Sequence, residues 1–473
     1  MKRSIFFIII ISMAFVSGCI NLEPEPVKPL NIRPGIHFTR EDKDTGNFET
    51  WWHFLSDSEL DSLIQKALSG NFDLASLKAR IARAQAVLEK QNSFLYPGVK
   101  AILSGQKQAT RTEQGYQGDT KVRFTHSWEA SLSGSYTPDI AGRISSGIKA
   151  DMLNLDAASM DFDAAAMEIS ARVAETWVDI ITARIVKQTV KTRIATARTL
   201  LELQELRFVN GKVKALDVSM QKQALAEAQA ALPLIEKQES LLVNTLAFLS
   251  GISNPEEIRI KRECLPEFRQ IKKIRIPVSL LAARPDIKAA KMRLVSSTWD
   301  ISAAEAGLFP SFTLTARLVF SSGRLDLLFR NWVASLAAAI EETVFDGGYK
   351  KAEIRQLKAA SDEKLNDYAR TMAAAIREVE DNLVSIKNQD RYISLLENQL
   401  KAAELTLRDA SIQYRNGQAS YLSFLSARTA IDRLEQKLAQ ERANAVKYRI
   451  RLCRALGWKY KPLVQKNKKE TDQ

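Results

Sequence analysis

The chain has 473 residues, 45% hydrophobic and 26% charged, with 68 Lys+Arg against 55 Asp+Glu and a net charge of +13. It is long enough to bury a sizeable core, but Gly 19, Pro 13 and 8% aromatics are too few for an all-β chain of tight turns. Three cysteines exclude a disulfide scaffold, and three scattered histidines (His37, His53 and His126) exclude a histidine-rich metal site. The positive charge is mixed with acids along helical stretches and is locally in excess only at residues 459–469. It reads as solvated surface, and no nucleic-acid partner is expected.

Lys2 and Arg3 precede an apolar run over residues 5–16 and then Ser17-Gly18-Cys19. A charged start, a short apolar stretch and small residues at the cut predict a signal peptide over residues 1–18. Val16-Ser17-Gly18-Cys19 resembles a bacterial lipobox, which implies that Cys19 is the lipidated first residue of the mature chain. Ile20 stands where many lipoproteins kept at the inner membrane carry Asp, so the resemblance implies the outer membrane. Residues 19–50, Pro-rich at 23–29, are expected to form an extended, lipid-anchored tether. No later run approaches ~18 apolar residues, so no membrane-spanning helix is expected.

Beyond the tether one unit is written twice. Phe72-Asp73-Leu74 answers Pro285-Asp286-Ile287, Tyr96-Pro97 answers Phe309-Pro310, and Gly142 answers Gly348. Farther along, Phe208-Val209-Asn210-Gly211 answers Tyr414-Arg415-Asn416-Gly417, and Gly251 answers Gly457. The first copy is placed at 51–252, a linker at 253–280, the second copy at 281–457 and a basic tail at 458–473. The second copy is seven residues shorter, all lost between its proline and its glycine landmark, which points to a loop tip.

In chain order the first copy predicts a helix over 57–96 and a β-hairpin over about 98–138. A helix over 143–208 and a return helix over 215–250 follow. The second copy predicts a helix over 285–309, a β-hairpin over about 311–341, and helices over 349–414 and 421–456. The long helices would each extend on the order of 100 Å at ~1.5 Å per residue. Pro97 and Pro310 end helices, and Gly142, Gly347 and Gly348 permit the turn back into helix. Asn210-Gly211 and Asn416-Gly417 supply left-handed residues for the helical hairpin turns.

The hairpin segments alternate. Trp128, Ala130, Leu132, Gly134 and Tyr136 share one face, as do Phe312, Leu314, Ala316, Leu318 and Phe320. So do Trp332, Ala334, Leu336, Ala338 and Ile340 and, more weakly, Val99, Ala101 and Leu103. Strands of about ten residues with one apolar face are the mark of a transmembrane β-barrel. Four strands cannot close a barrel, and side chains fill the bore at eight, so a trimer with twelve strands is expected. The fold class is therefore mainly α, with long helical hairpins and a small transmembrane β part.

These residues resemble the outer-membrane efflux channels of the TolC type, in the lipoprotein branch of OprM-like and NodT-like proteins. The resemblance rests on Trp51-Trp52 with Phe54, Asp57 and Leu60. It rests also on Leu280-Leu281-Ala282-Ala283-Arg284-Pro285-Asp286-Ile287, Ala303-Ala304-Glu305-Ala306-Gly307-Leu308-Phe309-Pro310-Ser311, Phe345-Asp346-Gly347-Gly348 and Ser420-Tyr421-Leu422. It implies a trimer with a twelve-stranded barrel and a periplasmic helical tube with a mixed equatorial belt. The implied partners are a periplasmic adaptor and an inner-membrane pump of the RND type. A protein-secretion conduit of the same build and a periplasmic coiled-coil scaffold are the competing readings.

No nucleophile, phosphate loop or metal-ligand cluster stands out, so neither catalysis nor a cofactor is expected. The resemblance places the periplasmic aperture at Leu422, Ser423 and Ser426, where the family often has carboxylates, with Arg428 nearby. Asp217, at the first copy's equivalent of Ser423, either supplies an acidic ring there or serves the first turn of its helix. Cys264 and Cys453 are expected as two buried thiols, with a disulfide as the alternative.

Overall fold

A computed structural model of the chain describes residues 51–114, 119–266 and 283–457, with short pieces at 23–24, 26, 38–39 and 276–277. The signal peptide, Cys19, His37, most of the tether and the tail at 458–473 lie outside the described residues. A 3-10 turn, Trp51–Leu55, leads into α1 (Ser58–Gly70), α2 (Phe72–Asn92), β1 (Gly98–Gln114), β2 (Asp119–Tyr136), α3 (Arg143–Val209) and α4 (Ala215–Leu249). The second copy supplies α5 (Pro285–Ala306), β3 (Ser311–Ser322), β4 (Trp332–Glu341), α6 (Tyr349–Arg415) and α7 (Tyr421–Ala455).

The chain forms two compact units, and each draws on both copies. One takes residues 80–158 and 289–368 and holds the sheet. The other takes, of the described residues, 51–79, 159–266, 283–288 and 369–457 and holds the helical hairpins. In the first unit the strands form an antiparallel meander in the order β1-β2-β3-β4. Nearby, Ser296 Oγ donates to the Ala150 carbonyl (3.0 Å) and the Lys149 ammonium lies 4.1 Å from the Trp299 ring centroid, tying α3 to α5.

The helix expected over 57–96 is two helices. Asn71 is extended (φ −69°, ψ 130°), and its side-chain oxygen accepts from the N–H groups of Asp73 (2.9 Å) and Leu74 (3.2 Å), starting α2 afresh. Its amide donates to the Leu249 carbonyl at the end of α4 (2.9 Å). At the equivalent place in the second copy the Arg284 guanidinium donates to the Ala455 carbonyl at the end of α7 (2.7 Å). Two different side chains thus satisfy the same class of orphan helix carbonyl.

The second unit's core is built around the middle of α3. Ala166, Ile169, Ala171, Val173, Ala174, Trp177, Val178, Ile180 and Ile181 are all buried, with Trp51, Leu55, Leu60, Ile64, Leu246 and Ile450. A helix apolar nearly all round belongs inside. Its acids keep to one stripe, Glu168, Glu175 and Asp179, and α7 answers with Arg454, Arg451 and Lys447. Glu175 meets Arg451 at 2.7 Å and Asp179 meets Lys447 at 2.7 Å, while Glu168 pairs with Arg454. Arg454 and Arg284 both reach Glu378 of α6. Burial alone would lower both guanidinium pKa values, but Glu378 and Glu168 beside Arg454, and Asp286 and Glu378 beside Arg284, hold them above the ordinary arginine value. The ladder runs antiparallel, joining a helix of the first copy to a helix of the second.

Both cysteines among the described residues are free. Cys453 is buried in α7, and its burial pushes the thiol well above its ordinary range. Cys264 is exposed, which corrects the expectation of two buried thiols: it follows the strand-like segment whose apolar residues, Ile258 and Ile260, are the ones turned inward.

Gly251 ends the α4 cap at φ +65°, and a Cβ there would lie 2.1 Å from the Gly70 carbonyl oxygen. Gly211 has φ +67° with nothing within 4 Å of the same atom. Gly211→Ala should cost only the backbone strain, about 1–2 kcal/mol, whereas Gly251→Ala must also push two chain segments apart. Thermal unfolding followed by circular dichroism should show a clearly larger drop in Tm for Gly251→Ala; equal drops would contradict this packing.

Candidate functional site

The register of the sheet unites the four predicted stripes. Val99 pairs with Gly134, Ala101 with Leu132, Leu103 with Ala130 and Gly105 with Trp128. Tyr136 pairs with Leu314, Gly134 with Ala316, Leu132 with Leu318 and Ala130 with Phe320. Phe312 then pairs with Ile340, Leu314 with Ala338, Ala316 with Leu336, Leu318 with Ala334 and Phe320 with Trp332. Directly paired residues share a face, so all four rows form one continuous apolar surface. Leu336 is 81% exposed and Ile340 74% exposed on it. The opposite face carries Lys100, Ser131, Ser133, Thr315 and Arg317, with Arg317 bonded to Glu129 at 2.8 Å. One edge of β1 and one edge of β4 have no partner strand among the described residues.

Where strand returns to helix, carboxylates do the capping. Asp139 accepts from the N–H groups of Ile144 (2.9 Å) and Ser145 (2.7 Å), with Gly142 at φ +76° between them in sequence. Asp346 accepts from Gly348 N–H (2.8 Å) and Lys350 N–H (3.0 Å), and Gly347 and Gly348 are at φ +64° and +91°. These N–H groups hold the Asp346 carboxyl below its ordinary pKa. Pro97 and Pro310 stand one residue before β1 and β3, where the helical segments have ended.

At the other end of the long helices the turns are built alike. Gly211 N–H donates to Phe208 and Lys212 N–H to Arg207, while Gly417 N–H donates to Tyr414 and Gln418 N–H to Gln413. Both glycines have positive φ, and Asn210 and Asn416 precede them as the last residues on the helical path. On either side of the second turn, Tyr414 and then Tyr421 and Phe424 form a ring cluster with centroids 5.3–5.9 Å apart. Tyr414 exchanges hydrogen bonds with Gln204 of α3 at 3.0 and 3.2 Å, and buried Tyr421 donates to Gln221 of α4. Gln221 in turn donates to the Ala197 carbonyl (2.7 Å). Burial first, then Tyr414 and the Asp217 carboxylate, push the Tyr421 phenol above its ordinary pKa.

A sequence profile described as "Outer membrane efflux protein" matches residues 63–252 and 276–458. The chain belongs to the outer membrane efflux protein family. The pyoverdine export outer membrane protein OpmQ of Pseudomonas aeruginosa is 26% identical over 457 residues, spanning 94% of this chain and 96% of that protein. The structure of the outer-membrane channel OprN matches with a TM-score of 0.81 at 24% identity, covering 92% of this chain and 99% of that one. The outer membrane protein VceC of Vibrio cholerae matches with a TM-score of 0.78 at 25% identity, covering 87% and 99%.

In this efflux protein the predicted aperture residues occupy the first two turns of the return helices. Leu422 is 58% exposed, and Ser423 and Ser426 are exposed. Ser426 Oγ donates to the Leu422 carbonyl (2.7 Å), and the Ser423 hydroxyl meets that of Ser420, the helix cap (3.0 Å). Asp217, half-buried, accepts from Lys214 N–H at 3.2 Å, which closes the first turn of α4. Arg428 is turned toward Asp432 (3.3 Å), which also meets Arg193 of α3 (3.4 Å). Burial raises the Asp432 carboxyl more than these two guanidiniums lower it. Gln204, Gln221, Arg193 and Asp432 were not singled out from sequence. The available signal was that they break the repeat: alanines stand at the equivalent positions 410, 427 and 226 of the other copy for Gln204, Gln221 and Asp432. Among the described residues no group of three or more His, Cys, Asp or Glu side chains could hold a metal, and no helix is long and apolar enough to cross a membrane.

A double-mutant cycle of Tyr421→Phe with Gln221→Ala should return a coupling of about 1–2 kcal/mol in unfolding free energy, the worth of a buried hydrogen bond. Strictly additive effects would remove this bond from the account of the tip.

Proposed function

We propose that the chain is the outer-membrane conduit of a tripartite efflux system, three copies closing a twelve-stranded barrel. The observation that carries this is the open sheet: one face continuously apolar, and two long strand edges unpaired. In lipid each unpaired amide costs several kcal/mol, so the edges must meet strands of other copies. Eight strands leave a bore filled by side chains, whereas twelve leave an open one. OpmQ, which is named for pyoverdine export, supports a small-molecule cargo. A periplasmic adaptor and an RND-type inner-membrane pump deliver that cargo, Cys19 carries the lipid anchor, and the conduit itself is passive and performs no catalytic step.

The helical part supports assembly independently. In α4, Leu241 and Phe248 occupy the positions that Lys447 and Arg454 hold in α7; in α6, Ala374 and Ser385 occupy those of Glu168 and Asp179 in α3. All three bases of α7 are thus absent from α4, where Thr245 stands for Arg451, and two of the three acids of α3 are absent from α6, where Asp381 stands for Glu175. Leu234, Leu241 and Phe248 recur every seven residues and are 68%, 54% and 65% exposed. This row is the seam between copies, α4 of one against α6 of the next, in the geometry that α3 and α7 show within one chain. The narrow end of the conduit lies at Leu422, Ser423, Ser426 and Asp217. There serines in place of carboxylates leave Asp217 as the acidic contribution, and the pore's width and lining charge set what passes.

Purified in mild detergent, the protein should sediment as a trimer and give unitary conductance steps in a planar bilayer; a strictly monomeric, non-conducting species refutes the proposal. Leu241→Glu combined with Phe248→Glu should leave helical circular dichroism intact while converting trimers to monomers. Cys19→Ala should abolish acyl labelling without affecting conductance, and persistent labelling would move the anchor elsewhere.

A further inference from the structure

The two hairpins are unequal. β2 leaves β3 at the Trp128–Ser322 pair, yet β1 and β2 stay paired for nine further rungs, from Gln106–Ser127 to Gln114–Asp119. At ~3.4 Å per residue this ribbon runs on for roughly 30 Å beyond the shared sheet. Its composition changes abruptly at that boundary. On the face that continues the apolar surface, the Trp128 ring lies over Gly105, so close that a Cβ there would sit 2.5 Å from it. The next rung on that face is Lys107 paired with His126, then Ala109 with Phe124, then Arg111 with Val122. The Lys107 ammonium lies 5.5 Å from the Phe124 ring centroid, and Lys107, Phe124 and His126 are all exposed. On the other face the same rungs carry Gln106, Gln108, Thr110, Ser127 and Thr125 with Arg123.

The order along the outward face is therefore apolar row, indole, basic pair, aromatic, base. That is the order of environments met on leaving a bilayer: hydrocarbon, interface, charged headgroups. Lys107 stands one rung beyond Trp128, about 7 Å, which is headgroup depth. An ammonium directly opposite an imidazole on one face offers an anion both positive charge and a ring N–H donor. Among the described side chains of this ribbon, at 107–111 and 122–126, no acid occupies an outward position.

We infer that the outward face of the β1–β2 ribbon, centred on Lys107 and His126, is a binding surface for the phosphate groups of outer-leaflet lipid. The inference rests on the barrel reading above, since it needs the apolar rows to face hydrocarbon. Lys107 and Arg111 supply the positive charge and His126 a further ring N–H, while Trp128 and Phe124 hold the sugar and upper acyl region.

Native mass spectrometry of the detergent-solubilised protein, offered lipid A bearing both phosphates or the same lipid dephosphorylated, tests it. Wild type should retain the phosphorylated form preferentially, and Lys107→Gln combined with His126→Gln should lower that retention about fivefold or more. Lys100→Gln, on the same strand but the opposite face, should leave it unchanged. Equal retention of the two lipids by wild type, or equal loss in the Lys100 variant, overturns the assignment. Bilayer conductance of all three proteins separates this from the barrel reading: normal steps with no lipid preference sink the lipid surface alone, whereas absent steps in wild type sink the barrel and the surface with it.

Discussion

The constraint on which the rest depends is that a strand edge in hydrocarbon cannot be left bare. β1 and β4 end the sheet with backbone donors and acceptors that water would satisfy at no cost and that lipid cannot. The four apolar rows fall on one face because the register pairs them rung by rung, from Val99–Gly134 through Ala316–Leu336. A face of this kind has somewhere to go only if it meets lipid, since the opposite face sets Lys100, Arg317 and Glu129 among Ile102, Val319 and Val333 and no second sheet covers the apolar one among the described residues. Closure by identical copies answers the edges and the face together.

The helical hairpins solve a second problem, that of joining two near-copies of one unit in a defined order. The copies share what each needs alone. Their carboxylate caps at Asp139 and Asp346, their turn glycines and the end-of-helix caps from Asn71 and Arg284 all serve local backbone groups. They differ where they face each other. Glu168, Glu175 and Asp179 on α3 meet Arg454, Arg451 and Lys447 on α7, and Gln204 and Gln221 meet Tyr414 and Tyr421. A half-buried ladder of this sort penalises misregister, because sliding one helix by a turn strands charges against apolar groups. Membership of the outer membrane efflux protein family fits this division of labour, in which one chain must present two unlike seams.

Much of the fold was legible because it is local. Period-two alternation marked β2, β3 and β4, proline and glycine stand at their junctions, and Asn-Gly stands at both helical turns, where the glycines have positive φ. The break at Asn71 was not legible, since the residues around it suit a helix and only the side chain's reach to Leu249, far along the chain, repays the interruption. The full length of β1 depends on a distant partner as well. Beyond Gly105 its residues lose apolar alternation, and it is the pairing with β2 that keeps them extended. The proposed aperture residues Ser423, Ser426 and Asp217 lie within the first two turns of their helices, but the bonds that organise that end, from Gln204 and Gln221, join residues some two hundred positions apart.

The amino-acid sequence by itself determined the doubled plan, the helix and strand periods, and the residues able to turn the chain, because these depend on side chains a few positions apart. Which rows share a face, which helix of one copy meets which helix of the other, and where charge is exchanged for apolar contact were decided only in three dimensions. Register and partner choice are settled by the joint satisfaction of distant backbone and side-chain groups, and no short stretch of chain carries that information alone.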